Sequence, residues 1–507
     1  MIGERWSTSS EIKQVLSPVN EQNGGAILFK DEENYYCHTG EGHFLAIGGS
    51  GVGKSRRLTI PQTAALIKAK KSLVIADPKG EIWDATRHLL ANSHQVFCLN
   101  FRDMKRSDSY NPLSYIWELY HQGEAAEAQK MTSELVECLT AGDRSLDKFW
   151  KDNERNLLIG SIALLAEFAK KEQCTFQQLA NMLTEDFDML DTSGDSIDGD
   201  CHLKHALKAL PMGTPARQTL SSYASLKALS TKTCILNSVL NNTAIFSATE
   251  DIAAMTSGSS LDIALLDVEK PFAIWLILPD ESNALDKIAA VILSQLTWFL
   301  IKSAERYGGK LPIETGITIE ELGNIGKALP SLPHLCTASR SRGCKLTLVL
   351  QSLSQLETIY KKSEADTIIG NCDVTLAFRS NNWETLEMLE RQCGQRVLQS
   401  GEYTEVQPLI TANQLASMET GQALVMLSGK TKFITKLQDY TEQPYFKDAP
   451  QKKQQDDHRQ YKKAVASGDE SPFSLRDIPN IIASRAITGK RLVSSYTHIF
   501  VRRNDDD

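Results

Sequence analysis

The sequence predicts an α/β protein built on a mainly parallel sheet flanked by helices, with an all-α segment inserted near the middle of the chain. Three observations carry this expectation. Short, wholly apolar runs alternate with stretches of helical periodicity, the mark of strands buried on both faces. Such runs are missing between about residues 116 and 246 and then return. The first strong run ends in a glycine-rich turn that opens directly into a helical pattern.

Taken in order, residues 1–43 are polar with brief apolar stretches such as 26–29 and read as lead-in strands. Residues 43–47 (HFLAI) form an apolar run bounded by glycines, hence a buried strand. Leu58, Ile60, Ala64, Leu66 and Ile67 then recur at helical spacing. Residues 72–76 and 94–100 give two more buried strands, the first ending at Asp77-Pro78. Helical runs rich in Leu, Ala, Lys and Glu follow at 124–139, 153–167 and 231–240. Strand patterns resume at 272–278, 316–319, 345–350 and 373–378. Beyond residue 448 the composition turns polar (KKQQDDHRQYKK), as a linker or tail does, although 471–492 keep some apolar content. The expected division is 1–115 and 247–446 for the two parts of a nucleotide-binding domain, 116–246 for the all-α insertion, and 447–507 for the tail.

At 507 residues the chain has room for more than one core. Its 41% hydrophobic and 23% charged content is that of an ordinary globular protein. A net charge of -8, from 55 Lys+Arg against 63 Asp+Glu, excludes binding nucleic acid through bulk positive charge. Any such contact must come from a local groove or pore. The ten cysteines form no CxxC pair and are expected to be reduced. His334 beside Cys336 is read as structural or solvated, not as a metal pair. The polar N-terminus lacks a signal-peptide core, and residues 290–301, the longest apolar stretch, are broken by Ser294, Gln295 and Thr297. A soluble chain is therefore expected.

The strongest motif is Gly48-Gly49-Ser50-Gly51-Val52-Gly53-Lys54-Ser55, a complete G-x-x-x-x-G-K-S phosphate-binding loop. Glycines let backbone N–H groups turn toward phosphates at a helix N-terminus, Lys54 meets the β/γ-phosphate charge, and Ser55 offers its hydroxyl to Mg²⁺. ATP and Mg²⁺ are the cofactors this predicts. Hydrolysis needs acids at the end of another buried strand, and Glu320-Glu321 after residues 316–319 answers that need. Glu320 is expected in the metal shell and Glu321 as the base that orients the attacking water. The plain alternative is a solvated acidic pair at a strand end.

Further segments resemble the TraG-type coupling proteins of type IV secretion and conjugation, and more closely the branch found on mobile elements of Firmicutes. They are Gly3-Glu4-Arg5-Trp6 with Glu11-Ile12-Lys13, Asp77-Pro78-Lys79-Gly80-Glu81, Tyr110-Asn111-Pro112-Leu113 and Asp147-Lys148-Phe149-Trp150. Glu320 to Gly326, Arg340-Ser341-Arg342-Gly343, Gln351 to Glu357 with Tyr360, and Gly370-Asn371-Cys372 complete the set in the same order. The resemblance implies a RecA-like P-loop NTPase motor carrying an all-α domain and assembling as a homo-hexamer with its sites at subunit interfaces. It implies that Arg340 is a finger acting in trans, with Arg342 as runner-up, and that Gln351 is the sensor of phosphate state. DNA, relaxase or relaxosome proteins and the secretion channel are the partners it implies, at the cytoplasmic face of the plasma (inner) membrane.

Two departures stand out. The family places Asp where Glu320 stands, which bears on turnover. Its members generally carry N-terminal transmembrane helices, and none is legible here, so membrane association is expected only through a missing segment or a partner. Two functions follow: an ATP-driven DNA translocase that receives the relaxase–DNA complex, or a nucleotide-binding docking receptor for protein cargo with little motor output. Lys327, Lys361 and Lys362 are weak candidates for DNA contact, each more simply a solvated charge.

Overall fold

The computed structural model describes residues 4–90, 93–142, 147–185, 202–279, 281, 283–400, 403–427, 431–447 and 472–488. Gly3 and the tail stretches 448–471 and 489–507 lie outside them. By contact density the chain forms two compact units. One holds residues 1–102, 267–289 and 297–460; the other holds 103–266, 290–296 and 461–507.

The first unit is organised by a nine-stranded sheet. In chain order its strands are β1 (His43–Ile47), β2 (Ser72–Asp77), β3 (Gln95–Asn100), β4 (Phe272–Ile277), β5 (Thr315–Ile319), β6 (Cys344–Leu350), β7 (Cys372–Ala377), β8 (Gln422–Leu427) and β9 (Lys432–Lys436). Their spatial order is β9-β8-β7-β1-β6-β5-β2-β4-β3. All neighbours from β7 to β3 pair in parallel, whereas β8 pairs antiparallel with both β7 and β9. The expected mainly parallel sheet is thus present.

Every residue of β1, β2, β4 and β5 is buried, which is why these segments read as predominantly apolar runs. Alternate residues feed separate cores. Phe44, Ala46, Val374, Leu376, Ala423 and Val425 share one. Leu73, Ile75, Ala273 and Trp275 share another, where the Trp83 and Trp275 rings meet edge-on at 5.1 Å. The lead-in pairs Ile27–Lys30 and Ser17–Pro18 with Tyr35–Cys37 in a separate antiparallel sheet. The β8–β9 pair and a hairpin of Gln395–Ser400 with Tyr403–Pro408 carry mixed polar and apolar residues, which left no strand signal in the sequence.

The second unit has no strand among its described residues. Its helices include Ala125–Leu139, Lys148–Phe168, Phe176–Glu185, His202–Ala209, Pro215–Ser225 and Leu229–Thr243. Helix Lys148–Phe168 packs closely on Pro215–Ser225 because Gly160 presents no side chain to Leu220. The Tyr110-Asn111-Pro112-Leu113 segment has a structural role here. Tyr110 donates to Gln295 Oε1 at 2.7 Å, Gln295 Nε2 donates to the Pro112 carbonyl at 2.9 Å, and Asn111 Nδ2 donates to the Cys174 carbonyl at 2.8 Å. Residues 283–306 are the one described helix long and apolar enough to cross a membrane, yet 83% of its apolar 18-residue window is buried inside the protein. It is a core helix, as the interrupting polar residues indicated.

Candidate nucleotide site

Four adjacent parallel strands, β1, β6, β5 and β2, end at the same edge of the sheet. The turns that follow them carry Gly48–Ser55, Gln351, Glu320-Glu321 and Asp77-Pro78-Lys79-Gly80. Residues scattered over some 300 positions of sequence are therefore gathered by strand order alone.

The loop after β1 needs its glycines. Gly51 and Gly53 lie at φ +76° and +89°, where an L side chain is strained. A Cβ on Gly48 would stand 2.9 Å from Phe378 Cβ. Gly49 N–H donates to the Arg379 carbonyl at 3.1 Å, fixing the loop against the chain leaving β7. Lys54, only 7% exposed, donates Nζ to the carbonyls of Gly48 (2.6 Å) and Gly49 (3.1 Å). Burial lowers its pKa, while Glu321 and Glu320 oppose that effect. The turn Ser55–Thr59 is wound as a π-helix, closing with Ile60 N–H on the Ser55 carbonyl before helix Ile60–Lys68 begins. Such local widening recurs at functional sites.

The two acids point to different places. Glu320 is 4% exposed and accepts from Thr59 Oγ1 at 2.5 Å. Burial pushes its carboxyl up to about 7; Asp77 and Glu321 add to this, while the Thr59 hydrogen bond and Lys54 oppose it. Glu321 takes φ +51°, the left-handed region that non-glycine residues enter at a cost. Its side chain meets Gln351, whose Nε2 donates to Glu321 Oε2 at 3.1 Å. Two of the sequence-predicted site residues are thereby in direct contact. Among the described residues no cluster of three His, Cys, Asp or Glu forms a ready metal cage. Mg²⁺ asks for less, because it keeps several waters and takes one or two protein oxygens beside phosphate. The Ser55 hydroxyl and Glu320 carboxyl are hard oxygen donors of that kind.

Arg340 stands elsewhere. It precedes β6, so the seven-residue strand separates it by roughly 20 Å from the edge where Gln351 and the phosphate loop lie. There it pairs with Asp373 at 2.9 Å while staying 43% exposed. Its own chain's loop is out of reach. Arg342 Nη1 donates to the Ala338 carbonyl at 2.5 Å and so closes the preceding helix. His334 is exposed beside Trp298, while Cys336 is buried. Lys327, Lys361 and Lys362 are exposed.

Sequence reasoning missed Thr59 and gave Asp77 no role. Thr59 was legible as the residue four after Ser55 on one helical face. Asp77, 2% exposed, accepts from the backbone N–H groups of Gly80 (2.9 Å), Ile82 (2.9 Å) and Trp83 (3.0 Å). It builds the turn in which Gly80 is left-handed. Burial nevertheless raises its carboxyl to about 6.

A parallel sheet with a phosphate-binding loop after one strand and acids after a nearby one defines a RecA-like P-loop NTPase. The type IV secretory system conjugative DNA transfer family matches residues 5–464. The chain belongs to that family, and is a coupling ATPase of DNA transfer. Two conjugal transfer proteins TraG of Escherichia coli are similar to it. One is 24% identical over 473 residues, spanning 82% of this chain and 70% of the relative. The other is 23% identical over 464 residues, spanning 82% and 69%. The fold resembles the unbound bacterial conjugative coupling protein TrwBdeltaN70, with TM-score 0.62, 17% identity, and coverage of 88% of this chain and 95% of that one. A TrwB structure in complex with ADP and Mg²⁺ has TM-score 0.62, 18% identity and coverage of 88% and 96%.

Proposed function

We propose that ATP with Mg²⁺ binds on Gly48–Ser55 and that its hydrolysis drives DNA through a ring of these chains toward a type IV secretion channel. Backbone N–H groups of Gly49–Gly53 and the Lys54 ammonium take the phosphates, and Ser55 and Glu320 hold the metal's shell. Glu321 orients the attacking water, and Gln351 carries the loss of phosphate into the end of β6. Arg340 completes the site of a neighbouring copy; its place at the far edge of the sheet leaves no role at its own loop, which fits a homo-hexamer. The all-α insertion, 116–246, faces the relaxase–DNA substrate. The ring works at the cytoplasmic face of the inner membrane.

The observation that carries this reading is the convergence of Lys54, Glu320 and the Gln351–Glu321 pair on one sheet edge, in a chain of a conjugative DNA transfer family. A TrwB structure contains ADP and Mg²⁺, which supports the choice of cofactor. The buried Glu320 carboxyl, engaged by Thr59 and held up at about 7, keeps a second reading in view: a nucleotide-binding docking receptor for protein cargo with little motor output.

Steady-state ATPase activity at low salt, with and without single- and double-stranded DNA, separates the two, with Lys54→Ala as control. Stimulation by DNA is expected of the motor. Nucleotide binding without turnover under every condition overturns it in favour of the receptor.

A further inference from the structure

The turn Asp77-Pro78-Lys79-Gly80-Glu81 follows β2 at the sheet edge that carries the phosphate loop, yet the proposed reaction uses none of its side chains. β2 lies beside β5, whose end bears Glu320, and β6 and β5 stand between it and β1. The turn therefore flanks the site on the side away from the Gly48–Ser55 loop. Its backbone is firmly held. Asp77 accepts from the N–H groups of Gly80, Ile82 and Trp83, and Arg102 Nη1 donates to the Pro78 carbonyl at 3.3 Å. Gly80, at φ +73°, makes the reversal that starts helix Glu81–Thr86. That helix lies against the turn Ser55–Thr59. Pro78 and Gly80 are buried, whereas Lys79 between them is exposed. A fixed backbone thus presents one long cationic side chain.

The charges show where Lys79 is presented. It is close enough to Lys54 for the two ammoniums to act on each other. Burial lowers the Lys54 pKa and Lys79 adds to that effect, while Glu321 and Glu320 oppose it. Arg56, next to Ser55, feels Glu81 of the same turn as well as its main partner Asp439 at 2.7 Å. The Lys79 ammonium has no hydrogen bond or ion pair among the described residues. Two ammoniums placed in this way suit an anion, because an anion between them turns one repulsion into two attractions.

We propose that Lys79 is a second phosphate-binding residue, and that it takes the terminal phosphate of the nucleotide from the side opposite Lys54. The inference rests on the nucleotide reading of the Gly48–Ser55 loop. Lys54 meets the phosphates from within that loop, whereas Lys79 meets them from β2. The terminal phosphate is the one that lies toward the acids at the end of β5, and β2 is the strand next to them. A diphosphate ends short of that place. Lys79 therefore makes the site distinguish the triphosphate from the diphosphate, as a flexible point charge on phosphate.

The test is competition against a fluorescent nucleotide on the full-length protein, by a non-hydrolysable ATP analogue and by ADP, each with Mg²⁺. Lys79→Met keeps the length of the side chain and removes its charge. It is expected to weaken the ATP analogue about tenfold and ADP by less than about twofold. Lys79→Arg restores the wild-type ratio of the two affinities, which a merely structural role would not require. The side chain is exposed, so the fold survives the change, and circular dichroism with the retained ADP affinity checks this. An equal loss for both ligands, or no loss for either, overturns the assignment of Lys79 and leaves the loop as the nucleotide site. Wild type that binds neither ligand overturns the loop reading, and Lys79 with it.

Discussion

Replacing Thr59 by valine removes one hydroxyl and tests the proposed place of Glu320 in the metal's shell. The Thr59 Oγ1 to Glu320 distance is 2.5 Å, and both side chains are buried. A hydrogen bond to an ionised carboxylate in such a place contributes about 1.5–3 kcal/mol. At 1.4 kcal/mol per unit, its loss raises the Glu320 pKa by roughly one to two units. The starting value is about 7, so the carboxyl in the variant loses its proton only at roughly pH 8–9. Mg²⁺ takes the ionised form, so with Glu320 in the metal's shell, as proposed, affinity for Mg²⁺–nucleotide in wild type is expected to rise with pH through about 7. In Thr59→Val the rise moves upward by one to two units, and near pH 7.5 affinity falls about tenfold. Binding of a fluorescent ATP analogue, with and without Mg²⁺ across the pH range, reads this directly. Thr59→Ser restores the wild-type profile, and Glu320→Gln abolishes the pH-dependent part. An unchanged midpoint in Thr59→Val would refute the reasoning, because it would separate Glu320 from the titration or from Thr59.

Lys54→Ala removes the ammonium that spans the loop and is expected to lower nucleotide affinity below detection by isothermal calorimetry, without loss of fold; retained micromolar binding would show that the loop binds otherwise. Arg340→Ala and Glu321→Gln should each be inactive alone, yet an equal mixture of the two recovers roughly a quarter of wild-type ATPase activity if the arginine serves a neighbouring copy; no recovery in assembled rings counts against a trans finger. The folded pKa values of Glu320 and Glu167, about 7, lie above their ordinary 4.5. The folded state therefore binds extra protons between those values, and this share of stability, full below about 4.5, is lost as pH rises toward 7. Melting temperature at low salt should fall over that window, and Glu320→Gln should flatten the slope. Gly160→Val drives a branched side chain into Leu220, whose Cγ would already lie 2.4 Å from an added Cβ; a loss of about 1–3 kcal/mol is expected in urea unfolding followed by circular dichroism.

The sequence alone carried the architecture, because both of its signals are local. Strands covered on two faces are mostly apolar, so β4 announces itself as an unbroken run and β1, β2 and β5 as short apolar runs with only a few buried polar residues. A loop that wraps phosphate must have glycine at left-handed positions, and Gly51 and Gly53 occupy them. The acids were legible from their place after the strand run 316–319, whereas Gln351 and Arg340 were legible only through the order and spacing of family segments, since an isolated Gln or Arg carries no local signature. What the tertiary structure decided is proximity and direction. Strand order sets Gln351 beside Glu321, Glu321 takes a left-handed backbone, and burial with Thr59 changes the proton affinity of Glu320. The length of β6 puts Arg340 at the opposite edge from its own loop. No pattern of neighbours in sequence encodes these relations, because they depend on which strands lie side by side and on how much water each side chain keeps.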